Sequence, residues 1–253
     1  MAPQSVRLRI DLAYDGGGFR GFARQADQRT VQGVLEAALL TLCGAAVETT
    51  VAGRTDAGVH AARQVVHCDV PASARCVGDL ERMRHALDRL CGDDVTVWRV
   101  RRVPASFDAR FSATQRQYRY RLCDAVAMDP LWRYTTWHVG QPSLDAPAME
   151  AGGRNLLGEH VFASFCRKRE GDALLRRVDR VAVRRRAGGL VTVDVEGAAF
   201  CHQMVRSIVG SLVQVGSGKQ PPAWVADVLA ARDRSVAGPV APPHGLTLVG
   251  VRY

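Results

Sequence analysis

The chain alternates between two hydrophobic periods, and it does so twice. Val6, Leu8, Ile10, Leu12 and Tyr14 alternate with Arg7, Arg9, Asp11 and Ala13, the two-residue period of a half-exposed strand, and Asp15-Gly16-Gly17-Gly18 ends it. Val31, Val34, Leu35, Ala38, Leu39 and Leu42 then follow helical spacing, with Thr30 as N-cap and Gly44 as stop. Strands are expected over residues 47–52, 64–70 and 95–103, with a helix over 79–90. The second half repeats the flavour. Strands are expected over 116–122, 177–186, 190–195 and 246–251, and helices over 144–157, 200–215 and 223–231. The pattern predicts an α+β protein with two similar lobes, residues 1–103 and 104–253, divided near Pro104.

The 253 residues can bury a full core, and 47% hydrophobic with 23% charged content is that of a soluble globular chain. No apolar run approaches the roughly 18–20 residues that span a bilayer. The start, Met1-Ala2-Pro3-Gln4-Ser5, lacks the basic and apolar segments of a signal peptide, so a cytoplasmic protein is expected. Seven scattered cysteines show no zinc-hook spacing and are expected to be reduced, buried thiols, with no metal site. A formal net charge of +9 and a pI of about 9.6 point toward a polyanionic partner. Yet of 34 basic residues only Lys168 and Lys219 are lysines, and such arginine use also follows from a GC-rich genome. The location of the charge therefore matters more than its sum.

Three segments could carry chemistry. The run Gly53-Arg54-Thr55-Asp56-Ala57-Gly58-Val59-His60-Ala61 lies between two strands and has glycines on both sides of Asp56, so it can present that carboxylate at a cleft. Arg54, two residues earlier, would favour the ionised form. A structural Arg–Asp turn fits the same residues. In Ser106–Arg121, strand geometry turns Arg116, Tyr118 and Tyr120 one way and Gln117, Arg119 and Arg121 the other. Aromatics among arginines suit RNA, whose bases stack on rings while guanidinium groups meet phosphates. An ordinary amphipathic strand has the same pattern. In Gly197–Gly210, Arg206 is the one charge in a nearly apolar helix and needs an anionic partner, for which Asp56 is a candidate. A structural ion pair or a snorkelling side chain would also account for it.

Together these segments closely resemble the tRNA pseudouridine synthase A family. The resemblance rests on Gly53–Ala61, on Ala109-Arg110-Phe111-Ser112-Ala113-Thr114 with Tyr118, and on Met204-Val205-Arg206-Ser207-Ile208-Val209-Gly210. Tyr14-Asp15-Gly16, Thr30-Val31-Gln32, Leu157-Gly158-Glu159-His160 and Asp233-Arg234 extend it over nearly the whole chain. It implies that Asp56 is the nucleophile, that Tyr118 contacts the target base, that Arg206 pairs with Asp56, and that Arg54 assists in an RNA-binding cleft. Arg110, Phe107, His60, Arg167 and Lys168 are further candidates for substrate contact. The implied fold is two ferredoxin-like lobes forming a continuous mixed or antiparallel sheet flanked by helices. The implied assembly is a homodimer holding tRNA, with uridines 38–40 of the anticodon stem-loop as targets and no cofactor. Several positions depart from the family's usual pattern. Phe22 stands where tryptophan often follows Gly21, Asp108 where histidine often precedes Ala109, Val161 where Asp follows His160, and Cys201 where leucine is common, while Cys91–Asp94 lacks a proline. An acid at 108 is expected to weaken phosphate contacts or alter tRNA choice. A non-catalytic RNA-binding protein on the same scaffold, or a sister enzyme acting on other uridines, remains the competing reading.

Overall fold

The computed structural model describes residues 5–140, 143–167 and 174–253. The chain divides into two compact units, residues 1–114 with 248–253, and residues 115–247. The division falls between Thr114 and Gln115 rather than at Pro104. Residues 104–114 have no strand or helix period, and their bonds run back to the first unit. Arg7 Nη1 donates to the Phe107 carbonyl at 3.0 Å, and the Ala109 amide donates to His67 Nδ1 at 2.9 Å.

In the first unit, strand β1 (Ser5–Tyr14) leads through a glycine loop to helix α1 (Val31–Cys43), then β2 (Thr49–Val51) and β3 (His60–Pro71). Helix α2 (Leu80–Cys91) and strand β4 (Val95–Arg102) follow. The strands lie in the order β4-β1-β3, with β2 on β3, and β1 with β3, β1 with β4 and β2 with β3 all pair antiparallel. This is the β-α-β-β-α-β ferredoxin-like arrangement. The β1 register Leu8↔Cys68 and Ile10↔Val100 turns Leu8, Ile10 and Leu12 inward, where they are fully buried together with Leu35, Leu39 and Leu87. Helix α1 has the expected ends: the Thr30 side chain accepts from the Gly33 amide, and Gly44 closes it in the left-handed region.

In the second unit, β5 (Gln115–Cys123) and the short β6 (Trp137–His138) precede helix α3 (Ala146–Arg154). Strands β7 (Gly158–Val161), β8 (Leu175–Arg185) and β9 (Leu190–Gly197) come next, then helices α4 (Met204–Gly216) and α5 (Trp224–Ala231). The order β5-β9-β8-β7 is antiparallel, with β6 parallel to β5, so β5-α3-β8-β9-α4 repeats most of the first unit's plan. Tyr120 and Leu122 on β5 and Val191, Val193 and Val195 on β9 are fully buried, as are Ile208 and Leu212 on α4. Strand β10 (Leu246–Arg252) closes the chain. The α+β class expected from the alternating periods is borne out. No described helix is long and apolar enough to cross a membrane.

Candidate active site

Asp56 sits on the turn between β2 and β3, half-buried, with Arg54 exposed beside it. The Val59 amide donates to the Asp56 carbonyl at 3.1 Å, and Gly58 takes a φ of 76°, which a side chain would resist. The loop after β1 packs directly onto this turn. Phe22 N donates to the Thr55 carbonyl at 3.1 Å and Gly58 N to the Phe19 carbonyl at 3.3 Å. The approach is close enough that a Cβ at Gly21, itself at φ 99°, would lie 3.0 Å from the Thr55 oxygen. His60 is only 6% exposed. Its Nδ1 accepts from the Gly16 amide at 3.1 Å and lies 3.0 Å from Asp15 Oδ1, so the ring ties the same glycine loop to the start of β3.

Phe107 and Arg110 belong to the 104–114 segment of the first unit. Phe107 packs on Tyr253 (centroids 4.9 Å apart) and edge-on to His67 (6.2 Å), as part of a small apolar cluster with Ala52, Val65 and Ala109. Burial holds the His67 imidazolium pKa below its ordinary value, in keeping with a neutral Nδ1 that accepts the Ala109 amide. Arg110 is exposed, its guanidinium 5.1 Å from the centre of the Phe111 ring, itself 80% exposed.

Tyr118, Arg206 and Arg167 belong to the second unit. Tyr118 lies on β5 opposite Val195, 7% exposed, with its ring edge-on to Phe200 at 5.3 Å and 89°. Arg206 lies in the first turn of α4, where its Nε donates to the Ala241 carbonyl at 2.7 Å. The Ala241 amide in turn donates to the Arg206 carbonyl at 3.2 Å. Burial drives the Tyr120 hydroxyl pKa well upward, against the opposing charge of Arg206. Arg167 is exposed, its amide donating to the His202 carbonyl at 3.0 Å, and Lys168 lies outside the described residues. An open depression of about 590 Å³ beside Asp145, Val215 and Lys219 contains none of these side chains. Among the described residues no group of three or more His, Cys, Asp or Glu is arranged to hold a metal ion.

A family model described as tRNA pseudouridine synthase matches residues 154–253. The tRNA pseudouridine synthase A of Frankia casuarinae is 51% identical, with 98% of this chain and 89% of that protein covered. Those of Streptomyces griseus (45%, covering 99% and 89%) and Leifsonia xyli (43%, covering 100% and 93%) are similar over the same extent. The chain belongs to the tRNA pseudouridine synthase A family. It is thus an isomerase that converts uridine to pseudouridine in tRNA.

Three departures from the usual pattern of tRNA pseudouridine synthase A have a structural account. Phe22 is fully buried and meets Tyr14 at 6.2 Å, so it serves as a core ring. Asp108 caps its own turn, its Oδ1 accepting from the Arg110 and Phe111 amides at 2.7 and 2.8 Å. Cys201 is joined to Cys166 in a disulfide with Cα atoms 5.9 Å apart, which corrects the expectation of seven reduced thiols. The partners are 35 residues apart and neither has a motif around it, so spacing could not reveal the pair. Sequence reasoning also passed over Phe200 as the ring that packs on Tyr118. It further missed the bonds that Tyr14 and Gln64 make to the Asp56 loop.

Proposed function

We propose that Asp56 is the nucleophile and that the substrates are uridines 38–40 of the tRNA anticodon stem-loop. The observation that carries this is a half-buried carboxylate on a turn held from both sides, in a chain of this family. The isomerisation breaks the N1–C1′ bond and forms C5–C1′, while C5 loses a proton and N1 gains one. Atoms balance within the nucleotide, so no electron or group is imported and no cofactor is called for. The target uridine leaves the stack, as a base must before chemistry on its buried atoms. In this reading Asp56 attacks C1′ or uracil C6, Arg206 is its partner, and Tyr118 lies against the base. Tyr118 is also the candidate to take the C5 proton. Arg54, Arg110, Phe107, Arg167 and Lys168 contribute to tRNA contact, in a homodimer working in the cytoplasm, whereas buried His60, first a candidate for such contact, holds the glycine loop instead. The roles of Tyr118 and Arg206 rest on the family resemblance.

Tritium release from C5-labelled uridine in tRNA measures the reaction directly. Asp56→Ala is expected to abolish release, by about 10³-fold or more, as deletion of a covalent nucleophile does. Normal turnover by Asp56→Ala would remove the assignment. Mapping pseudouridine in tRNA from a deletion strain, with and without the gene restored, checks the target positions. Restored modification elsewhere than 38–40 would refute the anticodon stem-loop.

A further inference from the structure

We propose that Tyr14, Thr55 and Gln64 form a positioning network that aims Asp56, a proposal that rests on Asp56 being the nucleophile. All three belong to the first unit and are buried, at 5%, 7% and 0% exposure. Gln64 Nε2 carries two hydrogens and uses both, one to the Gly53 carbonyl at 2.9 Å and one to the Tyr14 hydroxyl oxygen at 3.2 Å. Gln64 Oε1 accepts from the Val65 amide at 3.2 Å, which fixes the orientation of the side-chain amide. The Tyr14 hydroxyl accepts from Gln64 and shares a hydrogen bond of 2.8 Å with Thr55 Oγ1, in which either hydroxyl can donate. Burial pushes the Tyr14 pKa up to about 12, against the opposing bonds to Thr55 and Gln64, so the phenol keeps its proton throughout the physiological range.

The two residues held in this way, Gly53 and Thr55, flank Arg54 and lead straight into Asp56. One tie comes from the end of β1 and the other from β3, so the backbone entering Asp56 is fastened to two strands of the sheet. The surroundings are apolar: Leu12, Phe22 and Val66 are all fully buried. Hydrophobic side chains of similar volume could fill such a core, whereas directional bonds fix the angle at which the loop leaves it. Reacting groups misplaced by about 1 Å lose rate by ~10²-fold, so this angle has a kinetic consequence.

Tyr14→Phe keeps the ring against Phe22 and removes only the hydroxyl, and Thr55→Val removes the hydroxyl partner while keeping the shape. Both are tested by tritium release with C5-labelled tRNA, alongside tRNA affinity and the thermal midpoint. Each is expected to lower kcat by ~10–100-fold with KM and tRNA affinity unchanged, and Thr55→Ser is expected to restore the rate lost in Thr55→Val. Wild-type kcat in Tyr14→Phe, or a loss confined to KM, would overturn the proposal. Should Tyr14→Phe not fold, the Thr55→Val and Thr55→Ser pair decides, and equal rates for the two would overturn it. Asp56→Ala separates the two readings. Turnover by that variant sinks the nucleophile itself, whereas an inactive Asp56→Ala beside an unimpaired Tyr14→Phe sinks only the network.

Discussion

The Asp108 carboxylate accepts two backbone amides, and its own amide donates to Ser112 Oγ at 3.0 Å, so the Asp108 and Ser112 side chains close the turn from opposite ends. Burial acts to raise its pKa, but the amides of Phe111 and Arg110 outweigh it and hold the carboxyl below its usual range. A depressed folded pKa gives stability that is fully present above the unfolded value, about 4, and is lost as pH falls through the folded one. Asp108→Ala is therefore expected to lower stability at pH 7 by about 1 kcal/mol in urea unfolding, with the difference shrinking toward pH 3. A pH-independent difference would show that the carboxylate's charge plays no part. None of this was legible in the sequence, where Asp108 looked like an acid placed among phosphate contacts. Asp56 was a comparable case. Its flanking glycines marked a tight turn, but a structural turn reads the same way, and distant segments were needed to single it out. Tyr14 was legible as one position of an alternating strand, while its hydroxyl partner Thr55 lies 41 residues away, beyond any local pattern.

At the scale of elements, legibility followed the strength of the local signal. Helix α1 has a capping threonine, a helical stripe and a left-handed glycine, and it starts and ends where these place it. Helix α4 starts at Met204 rather than Phe200, because Gln203 takes a φ of 64° and Phe200 and Cys201 are engaged by Tyr118 and Cys166. Strand β7 was missed: four residues with a glycine and two polar groups carry no clear period, and only pairing with β8 makes them a strand. A further element-scale feature is the tie from the end of β5 to the end of β8 and the approach to α3. Asp124, 3% exposed, accepts from Arg185 at 3.1 and 2.7 Å and from the Leu144 amide at 2.7 Å. Burial acts to raise its pKa, but Arg185 and Leu144 together hold it below the usual carboxylate range. Asp124→Ala should cost about 2 kcal/mol in denaturant unfolding at pH 7, less than the roughly 3–5 kcal/mol of a fully buried pair because Arg185 is partly exposed. This contribution is present above the ordinary carboxylate pKa and disappears as pH falls through the depressed one. An undiminished difference at pH 2.5 would contradict it.

For the whole molecule the question is what its positive charge does. The division into two units was legible as a repeat of strand and helix periods. Its place was not, because residues 104–114 belong to the first unit through bonds to His67 and Arg7, far back in the chain. Many arginines are spent internally: Arg7 on Asp69, Arg9 on Asp11, Arg84 on Glu81, Arg180 on Glu196, and Arg119 and Arg184 both on Asp194. Such pairs offset most of their own charge, and the chain keeps a formal charge of +9. If that surplus is only the imprint of an arginine-rich composition, tRNA affinity will depend little on salt. If it meets phosphates, each contact releases counterions and the dependence is steep. About five phosphate contacts correspond to a log–log slope near −4 and a loss of ~10²–10³-fold in affinity between about 50 and 200 mM salt. We expect that slope for an enzyme acting on tRNA, measured by filter binding or fluorescence anisotropy with unmodified tRNA. Internal ion pairs on the surface contribute little to stability, so the urea midpoint should move far less over the same range. A slope near zero with an unchanged midpoint would assign the charge to composition rather than to recognition.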